Sequence, residues 1–181
     1  TNEEAPPPVP PADSPSWAPS VAAFTDDADS GLSPLKSYTH LLDFPANGYP
    51  AIINGVAFTA AAMNGSANGY AWSCVNPPPS AWNGSPTDST REGVDRLLWD
   101  FFYNSTDFTL TLSGLYPGET YETRLYFRSF GTPVANSSRD ITCAFTAGAV
   151  DLGSVPHDLD TLARSMVRCR YTADKIGRAH V

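Results

Sequence analysis

The sequence predicts an all-β fold, an antiparallel β-sandwich of the jelly-roll kind with one short helix. Polar and apolar residues alternate with a period of two in several segments, and turn-forming residues separate these segments. Such alternation is typical of strands with one buried face, because successive side chains point to opposite sides of a sheet. Hydrophobic residues make up 41% of the 181 residues, which is enough to bury a core.

Residues 1–20 are predicted to form a linker. They contain seven of the 17 prolines, which favour an extended conformation that cannot bury a core. An interdomain linker implies that other domains of the same chain are among the partners of this one.

The first strands are expected at 38–44 and 51–59, the second interrupted by a tight turn at Asn54-Gly55. Residues 64–90 are rich in Asn, Gly, Ser and Pro, which predicts a long irregular loop. A loop of this length in a compact domain is more often functional than not, and disorder is the alternative.

One segment, 91–103, has the periodicity of a helix instead. Its apolar residues follow the spacing i, i+3, i+4, i+7, i+8, and they are Val94, Leu97, Leu98, Phe101 and Phe102. The stripe is interpreted as core packing, and Trp99 is assigned to the same helix.

The second half of the chain carries the clearest strand patterns. The inward residues of four predicted strands are Phe108, Leu110 and Leu112; Tyr121, Thr123, Leu125 and Phe127; Ile141, Cys143 and Phe145; and Val167, Cys169 and Tyr171.

The domain is predicted to span residues 21–174. Residues 176–181 resemble the translation of a common sequencing adaptor, so 175–181 are expected to be a non-native tail. The domain is then expected to be truncated at its C-terminus.

Net charge and the length of the apolar runs each exclude one class of partner. Nineteen acidic residues against 11 basic ones give a net charge of −8, whereas nucleic-acid binding needs a basic surface. No apolar run reaches the length of a membrane span, so this segment is not expected to insert into a membrane.

The sequence predicts no catalytic activity. Neither a nucleophile elbow nor a zinc-ligand spacing occurs around His40 and His157. No cofactor is expected except a structural calcium ion, for which Asp26, Asp27 and Asp29 are candidate ligands. The alternative for these three aspartates is a solvated acidic loop.

Two of the three cysteines, Cys143 and Cys169, share the inward phase of their predicted strands. They form a disulfide if these strands are neighbours, and the alternative is a pair of buried thiols.

Aromatic residues in the predicted loop are the candidate ligand-binding residues. Tyr70, Trp72 and Trp82 lie among small polar residues, and Asn83 adds an amide. Exposed rings stack on the C–H face of a sugar while amides bind its hydroxyl groups, so these four residues are candidates for carbohydrate binding. The alternative, strongest for Trp72, is that the rings anchor the loop on the domain.

The most specific motif begins at residue 112 and has the sequence LSGLYPGETY, followed by RLYF from residue 124. Pro117-Gly118 is expected to form a turn, and the hydroxyl of Tyr121 to bond the turn backbone as in a tyrosine corner. The motif resembles bacterial extracellular β-sandwich modules of the galactose-binding-like and malectin-like kind. Fibronectin type III domains share it and are the second resemblance.

This resemblance implies a non-catalytic carbohydrate-binding module of a larger secreted or cell-surface protein, with a polysaccharide or glycan as partner. The alternative is a structural or adhesion spacer of the fibronectin type III kind, which binds no small molecule. Either function implies an extracellular location.

Overall fold

The fold is taken from a computed structural model, which describes residues 17–46, 49–82, 91–103, 107–128, 140–158, 162, 164–173 and 178–180. These residues form strands and one short helix, so the predicted all-β class is confirmed. No helix in these ranges is long and apolar enough to cross a membrane. The elements in chain order are β1 (Trp17–Ala23), β2 (Leu42–Asp43), β3 (Ile52–Ile53), β4 (Val56–Ala57), β5 (Thr59–Ala60), β6 (Gly65–Ala67), β7 (Tyr70–Val75), β8 (Ser80–Trp82), α1 (Gly93–Leu97), β9 (Phe101–Tyr103), β10 (Thr109–Ser113), β11 (Thr120–Arg128), β12 (Ile141–Ala147), β13 (Val150–His157), β14 (Arg164–Thr172) and β15 (Arg178–His180).

The smaller of the two main sheets has three strands in the order β1-β14-β11, all antiparallel. Its central strand carries alternating apolar residues that the sheet buries almost completely, including Val167 and Cys169. Val167 is paired with Val21 on one side and Leu125 on the other, which places an apolar row across the sheet.

The larger sheet has six strands in the order β13-β12-β15-β10-β7-β6. Residues 178–180 form β15 between β12 and β10. They belong to the segment 175–181, for which a non-native tail stays a prediction. An extended segment there forms hydrogen bonds with backbone N–H and C=O groups of both neighbouring strands, which would otherwise have no partner on that side.

A hydrophobic core joins the two main sheets. It takes side chains from β14 of the smaller sheet and from β12 of the larger one. Its buried members are Leu115, Cys143, Phe145, Ala147, Val167, Cys169, Tyr171 and Ala173. The sandwich and its jelly-roll topology remain predictions, because the described strands also form three separate two-stranded pairs.

Two further apolar clusters extend the core. One lies beneath α1 and joins Phe24, Leu32, Ala51, Ile53, Val94, Leu97, Leu98 and Met166. The other lies on β7 and β10 and joins Ala61, Met63, Trp72, Cys74, Leu110 and Leu112.

The predicted helix is shorter than its sequence pattern. The first half of the apolar stripe is helical and buried in α1, but Phe101 and Phe102 belong to strand β9, which pairs with β8. Aromatic residues favour strands, and the Phe-Phe-Tyr run gains a pairing partner in β8 that a longer helix would not provide.

The region 64–90, predicted to be an irregular loop, contains β6, β7 and β8. Trp72 and Cys74 on β7 point into the same core as Leu112 and Leu110, their partners on β10. The many Gly, Asn and Ser residues of this region favour a loop, and the alternation within β7 is short. The strand forms because it pairs with β10, which is distant in sequence.

The turn before β11 has the geometry expected from the sequence. Gly118 has a φ of +82°, and the Glu119 N–H donates to the carbonyl oxygen of Tyr116 at 3.2 Å, which closes the turn around Pro117-Gly118. The hydroxyl oxygen of Tyr121 accepts a hydrogen bond from the Tyr116 N–H at 2.9 Å. This contact ties the turn to the start of β11.

We predict that Tyr121→Phe lowers the free energy of unfolding by about 1 kcal/mol, because the ring keeps its packing while the hydrogen bond is lost. Urea denaturation measures the change. Tyr116→Phe is the matched control, since this exposed tyrosine lies at the same turn. Equal stability of Y121F and Y116F would contradict the prediction.

Candidate functional site

The pair of strands β8 and β9 presents three aromatic side chains on one face. Trp82 is directly opposite Phe101, and Tyr103 follows Phe101 by two positions, so all three project to the same side. The rings of Phe101 and Tyr103 are 6.0 Å apart. Trp82 is 46% exposed and Tyr103 is 43% exposed. We call these three residues the aromatic ribbon.

The opposite face of the same two strands attaches the ribbon to the domain. Phe102 packs against Phe44 with ring centroids 6.0 Å apart and contacts the cluster around Trp72. Because successive residues of a strand point to opposite faces, burying Phe102 directs Phe101 and Tyr103 outward.

Two arginines extend this surface beside the ribbon. The guanidinium carbon of Arg91 lies 3.4 Å from the ring centroid of Trp99, and that of Arg128 lies 4.7 Å from the same ring. Arg128 is also 5.1 Å from the ring of Phe101 and thus connects Trp99 to the ribbon. Burial and the nearby charge of Arg91 lower the pKa of Arg128.

A buried ion pair fixes the chain just before the ribbon. Arg96 Nη2 lies 2.9 Å from Asp100 Oδ2, and the two side chains are 8% and 0% exposed. Asp100 Oδ2 also accepts the Tyr49 N–H at 2.8 Å, and Arg96 Nε donates to the Tyr49 carbonyl at 2.8 Å. Since Asp100 directly precedes Phe101, the pair holds the start of β9.

Asp43 is a second buried carboxylate in this region. Its Oδ2 accepts the Ala51 N–H at 3.0 Å. Burial raises its pKa to about 7, and the negative charge of Asp100 adds to the shift, while the Ala51 hydrogen bond and Arg96 oppose it. Asp43 is 3% exposed, so this carboxyl belongs to the interior rather than to a binding surface.

Of the four predicted sugar-binding residues, only Trp82 lies on the ribbon. Trp72 is 7% exposed, and its indole N–H donates to the Ala62 carbonyl at 2.8 Å. This burial on β7 favours the alternative stated for Trp72, in which the ring anchors its segment on the domain. Asn83 lies outside the described residues.

Tyr70 is at the start of β7, half-buried, with its ring 5.6 Å from that of His40. His40 Nε2 lies 3.0 Å from the Ala71 carbonyl oxygen, and burial lowers the pKa of this histidine against the effect of that hydrogen bond. A shallow pocket of about 130 Å³ beside them is lined by His40, Asn68 and Trp72 among others. Tyr70 thus belongs to the six-stranded sheet and Trp82 to the β8–β9 pair.

The aspartates proposed as calcium ligands accept hydrogen bonds from backbone N–H groups. Asp29 accepts the N–H groups of Thr25 and Asp26 at 2.9 and 3.0 Å, and these bonds lower its pKa. Asp26 accepts the Ala28 N–H at 2.8 Å.

Asp27 Oδ1 accepts the Val94 N–H at 2.7 Å, which caps the first turn of α1. Among the residues that the structure describes, no group of three acidic, histidine or cysteine side chains is arranged to hold a metal ion.

The two cysteines considered for a disulfide are thiols. Cys143 lies on β12 and Cys169 on β14, so they come from different sheets and meet in the core as side chains of one cluster. Burial raises the pKa of each thiol to about 11. Their strands are not neighbours, which was the condition for pairing.

One hydroxyl and one imidazole form a close contact that resembles part of a catalytic pair. His157 Nε2 lies 2.7 Å from Ser165 Oγ. Both residues are buried, and Ser165 is paired on β14 with Ala23 and Phe127. A nucleophile must reach its substrate, so this contact is better explained as a hydrogen bond of the interior.

No protein-family model, curated protein or solved structure matches this chain. The resemblance to galactose-binding-like modules therefore stays a prediction. Sequence analysis missed Phe101, Tyr103 and Trp99, because the helical spacing assigned them to a core-facing helix. The β-favouring Phe-Phe-Tyr run at 101–103 is the signal that indicates a strand.

We predict that replacing Trp72 and replacing Trp82 by alanine change the stability of the domain by very different amounts. Trp72→Ala should destabilise the domain by about 3–5 kcal/mol, since it empties a buried site. Trp82→Ala should change the free energy of unfolding by less than ~1 kcal/mol, because the ring is largely exposed. Urea denaturation of both variants tests this, and similar losses in the two would be contrary to the structure.

We also predict a pH dependence of stability that Asp43 causes. Its pKa is about 7 in the fold and close to its ordinary 3.8 when unfolded, so the folded state binds more protons between these values. The contribution of Asp43 to the free energy of unfolding is complete below about pH 4 and is lost as the pH rises through about 7. Between these values the free energy of unfolding falls by up to ~1.4 kcal/mol per pH unit.

Denaturation of wild type and Asp43→Asn between these two pH values measures the effect. The variant should lack this slope, while Asp107→Asn, which changes an exposed carboxylate, should keep it. Parallel stability curves for wild type and D43N would refute the assignment.

Proposed function

We propose that this chain is a non-catalytic carbohydrate-binding module of a larger secreted or cell-surface protein. The observation that carries the proposal is the aromatic ribbon, in which Trp82, Phe101 and Tyr103 share one face of β8 and β9. Two of these large rings remain more than two-fifths exposed. Contiguous exposed aromatic surface is costly in water and is typical of a binding site.

The chemistry of the ribbon favours a saccharide. Sugar rings have an apolar C–H face that packs on an aromatic ring, and their hydroxyl groups need hydrogen-bond partners at its margin. Tyr103 contributes a phenol group, and Trp82 contributes an indole N–H, so each ring combines an apolar face with a polar atom.

Rigidity of the support also favours binding over a passive surface. Phe102 is fixed against Phe44 on the inner face, and the Arg96–Asp100 ion pair holds the residue before β9. A ring that is already oriented loses less entropy when a ligand stacks on it. The extracellular location follows from the proposed function and from the resemblance of the 112–127 motif.

The test is affinity electrophoresis and calorimetry with soluble polysaccharides, including xylan, glucomannan, laminarin and polygalacturonate. We predict binding to at least one of them with a change in tryptophan fluorescence. Trp82→Ala should weaken it by about tenfold or more, equivalent to ~1.4 kcal/mol.

Tyr116→Ala is the matched control, because Tyr116 is an exposed aromatic residue, 66% accessible, at the distant β10–β11 turn. This variant should bind like wild type. A folded domain that binds none of the polymers would exclude the proposal and favour the structural spacer. Equal weakening by W82A and Y116A would show that the ribbon is not the site.

A further inference from the structure

Two positively charged side chains lie together next to the aromatic ribbon. Arg91 and Arg128 both stack on Trp99, at 3.4 and 4.7 Å from its ring centroid. Two guanidinium groups so close to one ring repel each other, and burial together with the charge of Arg91 lowers the pKa of Arg128. An anion bound close to both groups would relieve this repulsion.

Arg91 differs from three other arginines of the described chain in having no acidic partner there. Three arginines form ion pairs with carboxylates, and these pairs are Arg96–Asp100, Arg124–Glu122 and Arg164–Asp95. Within the described residues, Arg91 has no such contact.

The same place is rich in N–H donors. Arg91 Nε and Trp99 Nε1 are both buried, and neither meets a hydrogen-bond acceptor in the described part of the chain. A buried donor without an acceptor destabilises a protein unless another molecule supplies the acceptor. Two guanidinium groups and two N–H donors without an acceptor in the described residues thus lie together at Trp99.

The overall charge of the protein does not argue against an anionic ligand at this place. At physiological ionic strength, charges farther away than about 8 Å are largely screened, so the nearest groups dominate. With a net charge of −8, the chain gives a polyanion no general attraction. Binding of one would need a local site such as this.

We infer that Arg91, with Arg128 and Trp99, binds the carboxylate of an acidic saccharide whose neighbouring sugar units stack on the aromatic ribbon. The inference rests on the proposed function and narrows its ligand to polysaccharides that contain uronic acids. The planar fork of a guanidinium matches the two oxygens of a carboxylate. Arg128 contacts both Trp99 and Phe101, which connects the charged place to the ribbon.

The test compares polygalacturonate and alginate with their methyl-esterified forms, which keep the sugar backbone but lose the charge. Affinities are measured for wild type, Arg91→Gln and Trp82→Ala at physiological ionic strength. Arg168→Gln is the matched control, since it removes the same charge from an exposed position on β14. Oligothymidylate is included as a polyanion without uronic acid.

We expect wild type to bind at least one acidic polymer about tenfold more tightly than its ester, equivalent to ~1.4 kcal/mol. Arg91→Gln should abolish this preference, while R168Q should keep it. Near-UV circular dichroism establishes that R91Q is folded. If it is not, Arg91→Lys keeps the charge and stem but loses the fork, and this variant should also lose most of the preference.

Three results would overturn the inference. Equal binding of acid and ester, with both weakened by W82A, would leave carbohydrate binding in place and remove the carboxylate site. An acid preference that R91Q retains would place the charge recognition elsewhere. Oligothymidylate binding as tightly as the acidic polymers would indicate a nucleic-acid surface. If the folded protein binds no polysaccharide at all, the proposed function itself fails.

Discussion

The buried ion pair between Arg96 and Asp100 is the interaction on which the rest of this surface depends. It joins α1 to the backbone of Tyr49 and fixes the residue that begins β9. Charges are costly to bury, and removing one partner of a buried pair typically costs about 3–5 kcal/mol. The pair therefore fixes the position at which the chain leaves α1. This constraint also sets the orientation of the aromatic ribbon, which follows directly.

The distribution of polar contacts separates the interior from the candidate site. In the interior, Asp43 accepts the Ala51 N–H, and Asp100 is shared between Arg96 and Tyr49. The half-buried Asp27 caps α1. Beside the ribbon, Arg91 Nε and Trp99 Nε1 are buried and meet no acceptor among the described residues. Polar groups that form hydrogen bonds stabilise a fold, whereas donors without acceptors next to exposed rings are typical of a binding surface.

The sequence predicted those elements whose stability comes from local pattern. The alternation in β11, β12 and β14 indicated strands correctly, and the Pro117-Gly118 turn has its expected contact with Tyr121. Errors arose where the decisive contact is distant. Phe101 and Phe102 continue a helical spacing but belong to β9, because β8 pairs with this strand, and Trp72 is buried because β10 lies beside β7.

By itself, the sequence determined the fold class and several strand positions, since a period of two requires one buried face. It also identified Trp82 as a candidate ligand-binding residue. Only the tertiary structure decided that Trp72 belongs to the core and that Phe101 and Tyr103 join Trp82 on one exposed face. The physical reason is that the exposure of a side chain depends on which strands become neighbours. Contacts between residues far apart in sequence determine this.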